Sequence, residues 1–134
     1  MCVHRKAKQM TRILVDRRNG DNDIVINNWH WHTIVEEIRR LNVIDVDVAE
    51  KLHIQACGFG LTEMEAAVVA DTLEQRSLPK LAATDRMLLD GSTTATPDDY
   101  KFHKVDTEKN YSTNAEVIRM FIDFCRCSKG FDVR

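Results

Sequence analysis

A chain of 134 residues, 43% hydrophobic and 30% charged, has the size and composition of one globular domain; a disordered or collagen-like chain is excluded, and a core needs no disulfide or metal staple at this length. The net charge is −2, yet Arg5, Lys6, Lys8 and Arg12 share an opening stretch without acids, so the rest is more acidic than the whole and is a poor partner for nucleic acid. No apolar run approaches the ~20 residues of a membrane span and no signal-type segment opens the chain, so a cytoplasmic protein without a membrane partner is expected, with Cys2, Cys57, Cys125 and Cys127 as reduced thiols.

Residues 1–11 read as a flexible basic leader and 12–134 as a single globular domain. Arg12–Asp16 and Asp23–Ile26 are apolar, β-branched runs around a turn that contains Asn19-Gly20, which predicts a β-hairpin. A hairpin is marginal alone, so one face must pack on helices or a third strand. Asn27 or Asn28 can cap a helix running to about Leu41. Trp31, Ile34, Val35, Ile38 and Leu41 fall on its buried side, and Glu36 and Arg40 form an exposed pair. Trp29 and His32 point away from the centre of that stripe, with His30 nearer its edge. Asp45 or Asp47 starts a shorter helix through Val48, Ala49 and Leu52, with Asp47 and Glu50 at capping-box spacing. Cys57 to Gly60 ends it, and Phe59 plugs the core.

Thr62 and Glu65 form a capping box for a helix reaching about Arg76. Met64, Ala66, Ala67, Val68, Val69, Ala70 and Leu73 cover most of its circumference, which predicts a central helix with neighbours on several sides. Pro79 breaks it, and Leu81–Leu89 adds one or two helical turns. Residues 90–99 are a polar loop, mobile or a binding lid. Tyr100–Val105 alternates and offers the hairpin a third strand. Thr113 and Glu116 cap a last helix that buries Val117, Ile118, Phe121, Ile122 and Cys125, turns Arg119, Asp123 and Arg126 to water, and ends near Gly130. Phe131–Val133 forms a brief strand. The fold class is α+β: a small antiparallel sheet, the hairpin plus one or two short strands, packed on four or five helices.

Both tryptophans and two of the five histidines fall within Asn27–His32. His30 and His32 converge on a metal only if the backbone is extended; on a helix they diverge. Further ligands would come from His53, Cys57, His103, Cys125 or Cys127, but no Cys-x-x-Cys or His-Glu-x-x-His spacing exists, so neither metal nor cofactor is assigned. Cys57 lies at a helix C-terminus, which disfavours a thiolate. The acid pairs at 36/37, 45/47 and 98/99 read as caps and solvated faces, and no catalytic residue is assigned. What remains is a binding surface of Trp29, His30 and His32, with Arg17, Arg18 and Tyr100, because tryptophan and arginine dominate interface energetics. Trp31 reads as a core anchor.

The hairpin, the Asn27-x-Trp29-x-Trp31 start of the first helix and the Phe121-x-x-Phe124-x-x-x-Ser128-x-Gly130-Phe131 ending resemble those of small proteins of bacteria and their phages. The resemblance implies no activity and no site residue. The expectation is a binding protein and not an enzyme, acting on a protein partner as an inhibitor, immunity or phage counter-defence factor. The alternative is a small-ligand or nucleotide-binding protein in which Trp29 stacks a ring while Arg17, Arg18 or His32 meets phosphate. A small metal-dependent hydrolase is the third reading. Open sheet edges leave room for a homo-oligomer.

Overall fold

The hairpin runs turn out as β1 (Thr11–Asp16) and β2 (Asp23–Asn27), followed by α1 (Asn28–Leu41), α2 (Val46–Lys51), β3 (Gly60–Thr62) and α3 (Glu63–Thr72). The chain continues through β4 (Arg86–Leu88), β5 (Thr93–Thr94), β6 (Ser112–Asn114), α4 (Ala115–Cys127) and β7 (Gly130–Val133). These elements belong to a computed structural model describing residues 11–54, 59–99 and 101–134. The protein is α+β, with two small antiparallel sheets, ordered β2-β1-β7-β3 and β5-β4-β6, and four α-helices among the described residues.

The hairpin pairs Thr11 with Asn27 through to Val15 with Asp23. Asp16 organises its turn: the buried carboxylate accepts from the Arg18 amide at 2.9 Å, Asn22 Nδ2 at 3.0 Å and the Lys129 amide at 3.1 Å. The third strand is β7, not residues 101–105, and it sets Leu14 against Val133 and Asp16 against Phe131. Burial decides between the two candidates. Phe131 and Val133 lose all solvent contact beside Leu14, whereas Phe102 is 64% exposed and Val105 fully exposed, so the latter pair offers the sheet no core face. On its other side β7 pairs with β3 so closely that a Cβ on Gly60 would run into the Phe131 carbonyl.

Asn27 caps α1 by accepting from the Trp29 amide at 2.8 Å, and Trp31, Ile34, Val35, Ile38 and Leu41 are buried as their spacing requires. Trp31 sets its edge on Phe121 at 5.5 Å and donates Nε1–H to the Leu52 carbonyl at 2.9 Å. The ion pairs differ from the expected Glu36–Arg40: Arg39 reaches Glu36 and Arg40 reaches Glu37, each at 3.0 Å and three residues apart. Glu37 is no solvated residue; it is 1% exposed.

Four further expectations change. Asp45 caps α2, accepting from the Asp47 amide at 2.8 Å, in place of an Asp47–Glu50 box. Phe59 is half-buried beneath the Lys51 ammonium, 5.6 Å from its ring centre, and is not a core plug. Asn114 caps α4, because Thr113 is held in β6 with its hydroxyl against His30. The 81–89 segment is strand over Arg86–Leu88, since pairing with β6 drives Met87 into the core and tertiary context overrides helix propensity.

The Thr62–Glu65 capping box of α3 forms reciprocally. The helix is not surrounded, however: Ala66, Val69, Ala70 and the following Leu73 are buried against α4 and β7, while Met64 and Val68 are 77% and 40% exposed. Small residues let α3 sit close on one side and leave the other in water. Past Thr72 the backbone widens into a π-turn over Leu73–Ser77 and then a short 3₁₀ turn at Pro79. No helix among the described residues is long and apolar enough to cross a membrane.

Candidate binding site

The first turns of α1 put Trp29 and His32 on one face and send His30 to another, and each meets a side chain from elsewhere. Trp29, half-buried, has Tyr111 edge-on at 5.1 Å and Phe102 at 6.3 Å. His32 meets the same Tyr111 at 5.2 Å, so that ring stands against both. His30 turns to β6, with Nδ1 3.0 Å from Thr113 Oγ1. His32 stacks on His53 with ring centres 4.8 Å apart and planes inclined by 24°. His53 Nε2 in turn lies 2.9 Å from Glu36 Oε2. Arg12 completes the cluster from β1, donating Nε–H to Asn28 Oδ1 at 2.9 Å.

The electrostatics follow from this crowding. Burial, then the positive fields of His53 and Arg12, push His32 down to about 4 against the weaker pull of Glu36, which leaves the imidazole neutral near pH 7. Burial also lowers His30, with Asp98 opposing. For Glu36, burial works upward, but His53 and Arg39 outweigh it and hold the carboxyl below its ordinary value. Among the described residues, two buried nitrogens, Arg12 Nη1 and His53 Nδ1, have no hydrogen-bond partner.

Next to this corner, the stretch from Arg86 to Lys109 encloses a cavity of about 480 Å³ lined by Arg86, Leu88, Asp98, Asp99, His103 and Lys109 among others. That volume suits a small molecule. Much of its charge is tied internally: Asp99 with His103 at 3.1 Å, Asp106 with Lys109 at 3.8 Å, and Arg86 Nε to the Thr96 carbonyl at 2.8 Å.

Of the residues singled out in the sequence, Trp29, His30 and His32 reach this corner, whereas Arg17 and Arg18 do not. The antiparallel register explains why: Thr11 lies opposite Asn27, so the turn is at the far end of the hairpin. There Arg17 pairs with Asp132 at 2.8 Å, and Arg18 gives its amide to Asp16. Tyr100 and Cys57 lie outside the described residues. The arginine that does arrive is Arg12, opposite Ile26; counting the register back from the Asn-Gly turn would have found it. His53, weighed in the sequence only as a metal ligand, arrives as a stacking partner of His32, and nothing local marks Tyr111 or Phe102. As side chains of one helix, His30 and His32 diverge, and no group of three metal-binding side chains occurs among the described residues. Cys125 is buried with its thiol pushed up by desolvation, and Cys127 is exposed. Compared with protein-family models, curated proteins and solved structures, the chain matches none.

Proposed function

We propose that the protein acts by binding another protein through the corner where the 101–105 segment lies over Trp29. The observation that carries this reading is the exposure of two large apolar side chains, Phe102 at 64% and Val105 in full, on a stretch without helix or strand. Such side chains cost solvation in the free protein and are regained by entering a partner's pocket, as anchor residues do. Lys101 and Lys104 are exposed beside them in the chain, so the complementary surface is an apolar pocket rimmed by carboxylates. Trp29 braces Phe102 and is itself held by Tyr111, which lowers the entropy of presenting Phe102.

The test compares affinity capture from native cell extract by the wild-type chain, by Phe102→Asp/Val105→Asp, and by Val25→Asp as an exposed control on β2. One partner retained by wild type and control but lost by the double variant is the expected result. Capture that ignores the double variant overturns the assignment of this surface.

A further inference from the structure

The turn between β1 and β2 carries Asn19-Gly20, and both residues are exposed. The asparagine side chain is folded back along the chain: its Oδ1 accepts from the Asp21 amide at 3.1 Å, while its main-chain carbonyl accepts from the Asn22 amide at 2.9 Å. An Asx turn of this kind carries the side-chain carbonyl over the intervening amide, here that of Gly20. Among the described residues, the Gly20 N–H donates to no group and Asn19 Nδ2 has no partner. A Cβ on Gly20 would meet nothing within 4 Å, so solvent base reaches that amide unhindered.

We propose that Asn19 is a self-modification site, where the folded chain deamidates without an enzyme and becomes a mixture of aspartate and isoaspartate. After base removes its proton, the Gly20 nitrogen attacks Asn19 Cγ. A new carbon–nitrogen bond forms, the Cγ–Nδ2 bond breaks, and ammonia leaves. The Asp21 amide stabilises the negative charge that develops on Oδ1 in this step, as an oxyanion donor does. Water then opens the resulting succinimide ring. Attack at Cγ gives aspartate, whereas attack at the main-chain carbonyl gives isoaspartate, with the chain now running through the side chain.

Asp90-Gly91 supplies the contrast within the same molecule. Asp90 also makes an Asx turn, with Oδ1 accepting from the Ser92 amide at 2.9 Å. There, however, the Gly91 N–H donates to the Leu88 carbonyl at 2.9 Å, and Arg40 Nε stands 2.7 Å from where a Cβ would be. Attack by that nitrogen requires the turn between β4 and β5 to open first. The glycine amide is therefore open at one turn and locked at the other.

The product reaches beyond the turn. Isoaspartate inserts a methylene into the main chain and converts the carbonyl that holds the Asn22 amide into a free carboxylate. Asn22 Nδ2 donates to Asp16 at 3.0 Å, and Asp16 in turn accepts from the Lys129 amide just ahead of β7. A lower urea midpoint in the aged protein is the expected consequence.

The experiment ages the full chain at about pH 7 and about pH 9 and maps its peptides by mass spectrometry with aspartate and isoaspartate resolved. The expected result is conversion at Asn19 ahead of every other asparagine, accelerating by up to about tenfold per pH unit because the attacking species is the deprotonated amide. Gly20→Ala crowds that nitrogen with a methyl and should slow conversion by about tenfold or more. Asp90 should stay intact in the folded chain and form isoaspartate once guanidinium chloride unfolds it. An Asn19 that survives, or a rate that neither pH nor Gly20→Ala changes, would overturn the site. Isoaspartate at Asp90 forming as fast in the folded chain as in the unfolded one would overturn the control assigned to the glycine amide.

Discussion

The Ser77 hydroxyl donates to Glu37 Oε2 at 2.6 Å in the interior of the protein, where neither residue is more than 1% exposed. Arg40 Nε and Nη2 reach the other carboxylate oxygen at 3.1 and 3.0 Å, and Lys80 approaches Oε2 at 3.5 Å. Arg40 Nη1 also donates to the Leu89 carbonyl at 2.8 Å. The buried carboxylate thus ties α1 to the π-turn after α3, and Arg40 beside it ties α1 to the segment leading into β5.

Ser77→Ala removes the shortest of these bonds and is expected to cost about 1–3 kcal/mol in urea unfolding. Its pH signature is specific. Burial alone raises the Glu37 carboxyl, but Ser77, Arg40 and Lys80 outweigh it and hold it below the usual range. A carboxylate lowered by folding contributes stability that is present above its unfolded pKa and is lost as pH falls through the folded value. Ser77→Ala brings the folded carboxyl closer to its unfolded value, so denaturation across acid pH should show a smaller acid loss in the variant than in wild type.

His32 acts over a different window. Its folded value of about 4 lies below an unfolded value of ~6.5, so the unfolded chain holds the proton first and stability falls as pH drops between the two, then levels. His32→Gln should flatten that fall, read as the difference in urea midpoint between about pH 7 and about pH 5. An unchanged difference would place the acid sensitivity elsewhere.

Gly130 has φ of +85°, and a Cβ there would stand 2.7 Å from the Leu61 carbonyl oxygen. Gly130→Ala should cost at least about 2 kcal/mol from left-handed strain and backbone contact together. Gly20→Ala, whose new methyl meets nothing within 4 Å, should change stability by under about 0.5 kcal/mol. Chemical denaturation of both variants checks the contrast.

The two tryptophans should separate in fluorescence. Trp31 is fully buried, and Trp29 is half-exposed. Acrylamide is expected to quench the emission that remains in Trp31→Phe and to spare that of Trp29→Phe. Trp31→Phe additionally strands the Leu52 carbonyl and should cost about 1–3 kcal/mol.

Features written in consecutive residues were legible in the sequence: the hairpin, the Asn27 cap, the Thr62–Glu65 box and the buried stripe of α1 all depend on neighbours a turn or a strand away. The second sheet was not, because Arg86–Leu88 becomes strand only by pairing with Ser112–Asn114, and a short apolar run carries no period of its own. At the candidate site the helix supplied Trp29, His30 and His32, but their partners come from β1, from the turn after α2 and from the segment before β6. Periodicity shows which way a side chain points and says nothing of what meets it. Arg17 and Arg18 misled for the same reason: near Trp29 in sequence, they are carried a full strand length away by the hairpin register.

The order β2-β1-β7-β3 places residues 130–133 between strands that come from 11–16 and 60–62. Until that late segment arrives, β1 and β2 are an isolated hairpin and β3 has nothing to pair with. Closing two such long loops costs chain entropy before any sheet contact returns it. The α1 stripe can condense early on local contacts, but the larger sheet must wait and then form in one step, which makes β7 the keystone of a slow and cooperative folding reaction.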